Sequence, residues 1–220
     1  MSDFGENRAA APPHARAGTL RLGNLTISGE AAQLVKQDFA ELARAAYQAQ
    51  GSRAFEDPKS SAVVHEAGHA VLYAYGGFEM RFVGVRQCKK GIQRGHWMGK
   101  AQPVEEYLWS TGPDIPPDED LRNACIQLAG WMAEVLFDSD NLRAGSSLDE
   151  IMQVRLLSHN ISQKTGADPN QVIAGIYSIT CRILKKNESV VREIASMLDR
   201  DGCIRRKALG SILAKVERPS

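Results

Sequence analysis

The order of apolar and polar residues along the chain predicts a mainly helical protein. Seven segments repeat apolar residues at intervals of three and four, which places them on one face of a helix. Caps, prolines and glycines mark the ends of several of these segments. The predicted helices span about 29–50, 58–75, 118–137, 147–166, 169–184, 190–198 and 209–216.

Alternation of apolar and polar residues predicts a few short strands between these helices. Thr19–Ser28 has the pattern of a short strand pair, and Met80–Cys88 that of a longer strand. A turn at Lys89–Gln93 separates that strand from a second one at Arg94–Gln102, whose glycines favour an exposed sheet edge. We therefore predict a mainly α fold with a small β-hairpin or sheet.

Composition divides the chain into three parts. Residues 1–18 are rich in Ala, Pro and Arg and are predicted to be a disordered tail. Residues 19–55 form an N-terminal extension of strands and one helix, and residues 56–220 form the main domain. A proline-rich loop at 103–117 carries Tyr107, Leu108 and Trp109, which either line a substrate pocket or fix the loop to the core.

Charge and cysteine usage limit the partners and the compartment. The net charge of +1 gives no electrostatic argument for a nucleic acid or a membrane surface, and no apolar run is long enough for a membrane span. The N-terminal residues lack the apolar core of a secretory signal. The four scattered cysteines contain no C-x-x-C pair and indicate reduced thiols. These features predict a cytoplasmic protein.

The candidate chemistry lies in the second predicted helix, at His65-Glu66-Ala67-Gly68-His69. Residues four apart share one helix face, so the two imidazoles lie side by side, as tetrahedral zinc requires. Glu66 can then act as general base toward water activated by the ion. The alternative is a surface helix with two histidines by chance. It is the weaker reading, because histidines in a strongly apolar helix need partners.

A catalytic zinc site needs a third protein ligand. The extended pattern H-E-x-x-H-x-x-G-x-x-H is excluded, because Leu72 and Tyr75 occupy the positions of its Gly and its last His. Spacing does not choose among the remaining candidates, which are Glu134, Asp149, Glu150 and His159. Glu134 is unusual within an apolar helix, and it could be a ligand or a hydrogen-bond partner that orients a histidine.

Three segments resemble the peptidase domain of the FtsH-type ATP-dependent zinc proteases. They are the H-E-A-G-H-A run at His65–Ala70, the run Ala129–Glu134 that ends in Ala-Glu, and Gly145–Asp149. The resemblance covers about residue 56 to the C-terminus. It implies that His65, His69 and Asp149 bind Zn²⁺ and that Glu66 is the catalytic base. It further implies β-addition of substrate to an edge strand that contains Gly95, His96, Trp97, Met98 and Gly99.

The chain departs from that family at Ala129, Trp131 and Leu148, and it contains no G-x-x-x-x-G-K-[ST] phosphate loop. ATP-driven unfolding is therefore not carried over. We expect a stand-alone zinc endopeptidase that cuts flexible or unfolded polypeptides, with a separate unfoldase or a homo-oligomer as open partners. The alternative is a non-catalytic module that binds peptides or proteins on a peptidase-like scaffold.

Overall fold

The computed structural model describes residues 20–22, 25–27, 40–41, 43–91, 94–104, 114–143, 145 and 147–218. The predicted tail at 1–18 and the loop residues Tyr107, Leu108 and Trp109 lie outside this part. Within it the protein is mainly helical with a small antiparallel sheet, which confirms the predicted fold class.

The helices follow the predicted order. Helix α1 covers residues 40–50, described apart from residue 42, and is followed by a 3₁₀ turn at Gly51–Phe55. None of the helices described is long and apolar enough to cross a membrane. The later helices are α2 (Lys59–Tyr75), α3 (Pro117–Phe137), α4 (Leu148–Thr165), α5 (Pro169–Lys186), α6 (Glu188–Asp201) and α7 (Arg206–Leu213).

The strands form one pair and one three-stranded sheet. Strands β1 (Leu20–Leu22) and β2 (Leu25–Ile27) pair antiparallel, as predicted. Strand β3 (Met80–Gln87) lies between β4 (Trp97–Pro103) and β5 (Cys203–Arg205), both antiparallel to it.

Two details of the sheet differ from the prediction. Strand β5 was not predicted, because three residues after a helix are too short to show alternation. Strand β4 begins at Trp97 instead of Arg94, since Gly95 adopts a φ of +93° in the turn and donates to the Cys88 carbonyl at 2.9 Å. The structure therefore keeps the predicted hairpin but shortens its second strand.

Helix α2 is the central element of the core. It packs against α3, α6 and the β3–β4 hairpin, and its apolar side chains are almost entirely buried. The contact with α3 is unusually close at Gly68. A Cβ there would lie 2.5 Å from the Ala129 carbonyl oxygen and 2.6 Å from the Ala133 Cβ. Only glycine fits this crossing, and the short separation brings polar groups of α3 against the two histidines of α2.

Candidate metal centre

The two histidines of α2 converge as their spacing predicts. One helical turn separates His65 from His69, and their Nε2 atoms lie 3.0 Å apart. Their side chains are only 16% and 11% exposed, so each ring is largely buried but reachable from solvent. The pair is therefore built like two ligands of one ion.

A carboxylate from another helix completes a group of three. Glu150, in the first turn of α4, places Oε1 3.0 Å from each Nε2 atom. The ligand atoms of His65, His69 and Glu150 all lie within 4.8 Å of one another, the one such group found among the described residues. Two imidazole nitrogens and one carboxylate oxygen form a donor set that zinc uses in catalytic sites.

The other ring nitrogens fix the orientation of both imidazoles. The Nδ1 of His69 donates to the Ile126 carbonyl at 2.8 Å, because a carbonyl only accepts. The Nδ1 of His65 lies 2.6 Å from a carboxylate oxygen of Glu134, and the Ser61 hydroxyl donates to the other oxygen. With Nδ1 as donor, each neutral ring presents an Nε2 lone pair to the same point.

This convergence of lone pairs and negative charge favours a bound cation. Burial alone would lower the pKa of His65, but the Glu150 charge and the hydrogen bond to Glu134 raise it well above its ordinary value. Burial would raise the pKa of Glu150, yet the two imidazoles hold it well below its usual range. Without a metal, a proton on the imidazoles balances the negative charge of Glu150. A divalent ion at the same point would balance it with a larger positive charge.

Two further observations fit a metal ion at this point. The second carboxylate oxygen of Glu150 is buried and has no hydrogen-bond partner among the described residues. Gly130 of α3 lies directly against the His65 ring, where any side chain would collide with Nε2. The residues present therefore fit zinc.

The third member of the group is not the residue that the resemblance implies. Asp149 is exposed and lines both pockets of the cleft beside β4, while its neighbour Glu150 contacts the two imidazoles. Adjacent residues on a helix point about 100° apart, so the two carboxylates leave α4 in different directions. The structure thus places Glu150, and not Asp149, in the converging group, and Asp149 as third ligand stays a prediction.

The two other candidate ligands, Glu134 and His159, lie outside the converging group. Glu134 is 2% exposed and acts as the hydrogen-bond partner of His65, one of the two roles considered for it. His159 is exposed and hydrogen-bonds to Gln163, away from the group. Sequence reasoning missed Ser61 and the Ile126 carbonyl, since neither a serine in a helix nor a backbone oxygen gives a recognisable signal.

Glu66 lies between the histidines and strand β4. It is buried, and that burial raises its pKa. The Ala101 backbone N–H donates to its carboxylate, and Gly99 lies so close that a Cβ would collide with the Glu66 side chain. The β4 backbone therefore fixes the position of this carboxylate next to the three converging ligands.

An open cleft joins the converging group to β4. Its two adjoining pockets share Glu66, Gly99, Asp149 and Glu150. Of the predicted substrate-binding residues, Trp97, Met98 and Gly99 line this cleft, whereas Gly95 and His96 lie in a separate pocket beside Asp57.

Tyr73 also lines the cleft, one helical turn after His69. Burial, with smaller contributions from Glu66 and Glu150, raises the pKa of Tyr73 to about 12. A tyrosine is protonated at neutral pH even at its ordinary pKa, so the Tyr73 phenol can donate a hydrogen bond into the cleft.

Comparisons with known proteins assign no family to this site. The sequence profiles of known families give no match to the chain, and neither do the curated proteins.

Proposed function

We propose that the protein is a zinc-dependent endopeptidase that hydrolyses peptide bonds in flexible or unfolded polypeptides. One observation carries the proposal. The two Nε2 atoms and the Glu150 oxygen converge at 3.0 Å, beside a buried carboxylate, Glu66, that belongs to none of those contacts. A structural site would have no use for that additional carboxylate.

The residues divide the chemistry between them. His65, His69 and Glu150 would hold the ion, which supplies Lewis acidity that polarises a peptide carbonyl and makes water more acidic. Glu66 accepts the proton of the attacking water and returns it to the leaving amine. Burial raises the pKa of Glu66 and so brings it closer to neutral pH than the pKa of an exposed glutamate. Glu66 is therefore better suited both to accept a proton and to release it.

The shape of the cleft supports an extended substrate. Its strand side is the outer edge of β4, and a peptide pairs with such an edge only when it is itself extended. A segment that is already helical or folded cannot lie there. Flexible loops, termini and unfolded chains are therefore the substrate class that we propose.

The test combines metal content with turnover. We expect about one zinc per chain in the purified protein and cleavage of unfolded, dye-labelled casein that stops on chelation. Glu66→Gln keeps the shape of the side chain but not its basicity, so this variant should retain zinc and lose turnover by about a hundredfold or more.

Three outcomes would decide against the proposal. A protein that takes up no zinc after reconstitution has no catalytic metal centre. A Glu66→Gln variant that cleaves at the wild-type rate removes the proposed base. A zinc-loaded protein that binds unfolded casein without cutting it would be the peptide-binding module.

A further inference from the structure

The cleft contains polar side chains beyond those of the converging group. One of its two pockets has a volume of about 350 Å³ and is lined by residues of α2, α3 and α4, the helices that build the group. We refer to it as the helix pocket. Each helix adds one more polar residue to its wall, within about one turn of the group. These residues are Tyr73 after His69 on α2, Gln127 beside Ile126 on α3, and Gln153 after Glu150 on α4.

Gln153 is a buried polar residue that the protein leaves without a partner. Its side chain is only 6% exposed, yet its amide makes no hydrogen bond to any residue that the structure describes. Burial of an amide is unfavourable unless a partner replaces the water that it loses. Residues three apart share one face of a helix, so Gln153 lines the pocket beside Glu150. Its amide can therefore pair with a group that enters the helix pocket.

Tyr73 lines the same pocket from α2. Its hydroxyl also makes no hydrogen bond within the described part of the chain. The charges of Glu66 and Glu150 contribute to the raised pKa of Tyr73, so the phenol lies within reach of their electrostatic field. The helix pocket thus offers a hydroxyl donor from Tyr73 and an amide from Gln153 that both donates and accepts.

These groups fit an uncharged amide best. A primary amide donates through its nitrogen and accepts through its oxygen, so it can form two reciprocal hydrogen bonds with Gln153. A carboxylate only accepts, and Glu66, Asp149 and Glu150 already place negative charge along the pocket. An apolar side chain would displace water and leave both Tyr73 and Gln153 unpaired.

We propose that the helix pocket is a subsite for a glutamine or asparagine side chain of the substrate, with Gln153 as the residue that determines this specificity. The inference rests on the proposed function and narrows its substrate class to unfolded polypeptides with an amide side chain next to the cut. The pocket begins at Glu66, His69 and Glu150, so the residue that fills it adjoins the scissile bond.

The test compares peptides that differ in one side chain. A hydroxamate group binds zinc and fixes the peptide there, at its N-terminal end in one series and its C-terminal end in the other. The residue next to it is glutamine, methionine or glutamate, which have similar lengths. Fluorescein-labelled peptides are titrated with the zinc-loaded protein, and fluorescence polarisation measures affinity. In one series we expect glutamine to bind about tenfold more tightly than the other two.

Three variants assign this preference to the pocket. Gln153→Leu keeps the approximate volume of the side chain but removes the amide, so glutamine and methionine peptides should then bind within about twofold of each other. Tyr73→Phe removes only the hydroxyl and should reduce the preference in part. Gln163→Leu, at an exposed glutamine of the same helix, is the matched control and should retain the full preference.

Several results would overturn the proposal. Equal or tighter binding of methionine would show an apolar subsite, and tightest binding of glutamate would show a site set by the exposed Lys100. A glutamine preference that survives in Gln153→Leu would belong to another residue. If no hydroxamate peptide binds, the pocket is not a substrate subsite. Zinc content and casein cleavage of the wild type judge the proposed function separately, so the two failures are distinguishable.

Discussion

The two sides of the cleft are built on different principles. The helical side, which we define as His65, His69, Glu134 and Glu150, consists of side chains from α2, α3 and α4 that converge on one point. The strand side, defined as Gly99 and Ala101, acts through backbone and through missing side-chain volume. The helical side depends on the side-chain groups of its residues, and the strand side depends on the position of the β4 backbone.

Under the proposed function, this difference predicts that metal binding and turnover are separable. Loss of a side chain on the helical side would remove a proposed ligand or its support, so the metal should be lost first. A change on the strand side leaves the ligands in place but moves Glu66 or obstructs the substrate. Variants on the two sides should therefore give opposite patterns of metal content and catalytic rate.

The largest effect is expected on the helical side, at the third ligand. Loss of a residue that only hydrogen-bonds to a ligand can weaken metal binding roughly 100-fold. Glu150→Gln alters a proposed ligand itself, so it should weaken zinc binding by at least that factor. Competition with a fluorescent chelator measures the affinity. Asp149→Asn is the matched control on the same helical turn and should bind zinc as the wild type does. If instead Asp149→Asn loses the metal, the two carboxylates exchange roles.

On the strand side, Gly99→Ala should lower kcat about a hundredfold and leave the zinc content unchanged. The reason is that displacement of the Glu66 carboxylate by about 1 Å would have that cost. The added Cβ collides with the Glu66 side chain. Gly84→Ala in β3 is the matched control, since a Cβ there meets its nearest neighbours at 3.5 Å, an ordinary contact. For both variants, metal analysis measures the zinc content and casein cleavage measures kcat. Equal rates for the two would disprove positioning by Gly99.

The support of His65 should have an intermediate effect. Glu134→Gln keeps the volume of the side chain but removes the charge that holds the His65 N–H, so zinc affinity should fall about 10- to 100-fold. A thermal unfolding curve of the zinc-free variant checks that the fold persists. Unchanged affinity would mean that Glu134 contributes to packing alone.

The smallest effect is a pH dependence that the metal reverses. Burial lowers the pKa of His65, but Glu150 and Glu134 raise it above 6.5 overall, so protonation stabilises the zinc-free folded state. That contribution is complete below about pH 6.5 and is lost as the pH rises through the raised pKa. Zinc competes with this proton, so zinc affinity should fall as the pH drops. Urea unfolding of the zinc-free and zinc-loaded protein across this range measures both trends, and parallel trends would contradict the prediction.

Local signals were enough to predict much of the fold and two of the three residues in the converging group. The periodicity around His65 and His69 and the glycines after Tyr75 predicted α2, and the structure confirms it. Glu134 was recognisable because an acid inside an apolar helix needs a partner. These features depend on residues within one or two turns of each other, which is the range that a sequence pattern records.

Features that depend on distant segments were not predictable. Strand β5 exists because β3 offers it a free edge, not because three residues favour a strand. That Glu150 rather than Asp149 contacts the imidazoles depends on how α4 is rotated about its axis against α2, which packing decides. The partner of Trp97 is a backbone carbonyl at Asp57, and no residue type indicates such a contact.

The close crossing at Gly68 has a consequence for protein engineering. Transfer of His65, Glu66 and His69 to another helix would reproduce two proposed ligands and the proposed base. It would reproduce neither Glu150 nor the close crossing at Gly68 that brings α3 against the two rings. A successful graft would have to carry Gly68, Ala129 and Ala133 as well. The unit to transfer is thus the pair of helices α2 and α3 with their close spacing. The five-residue motif alone lacks the residues of α3 that hold the two imidazoles.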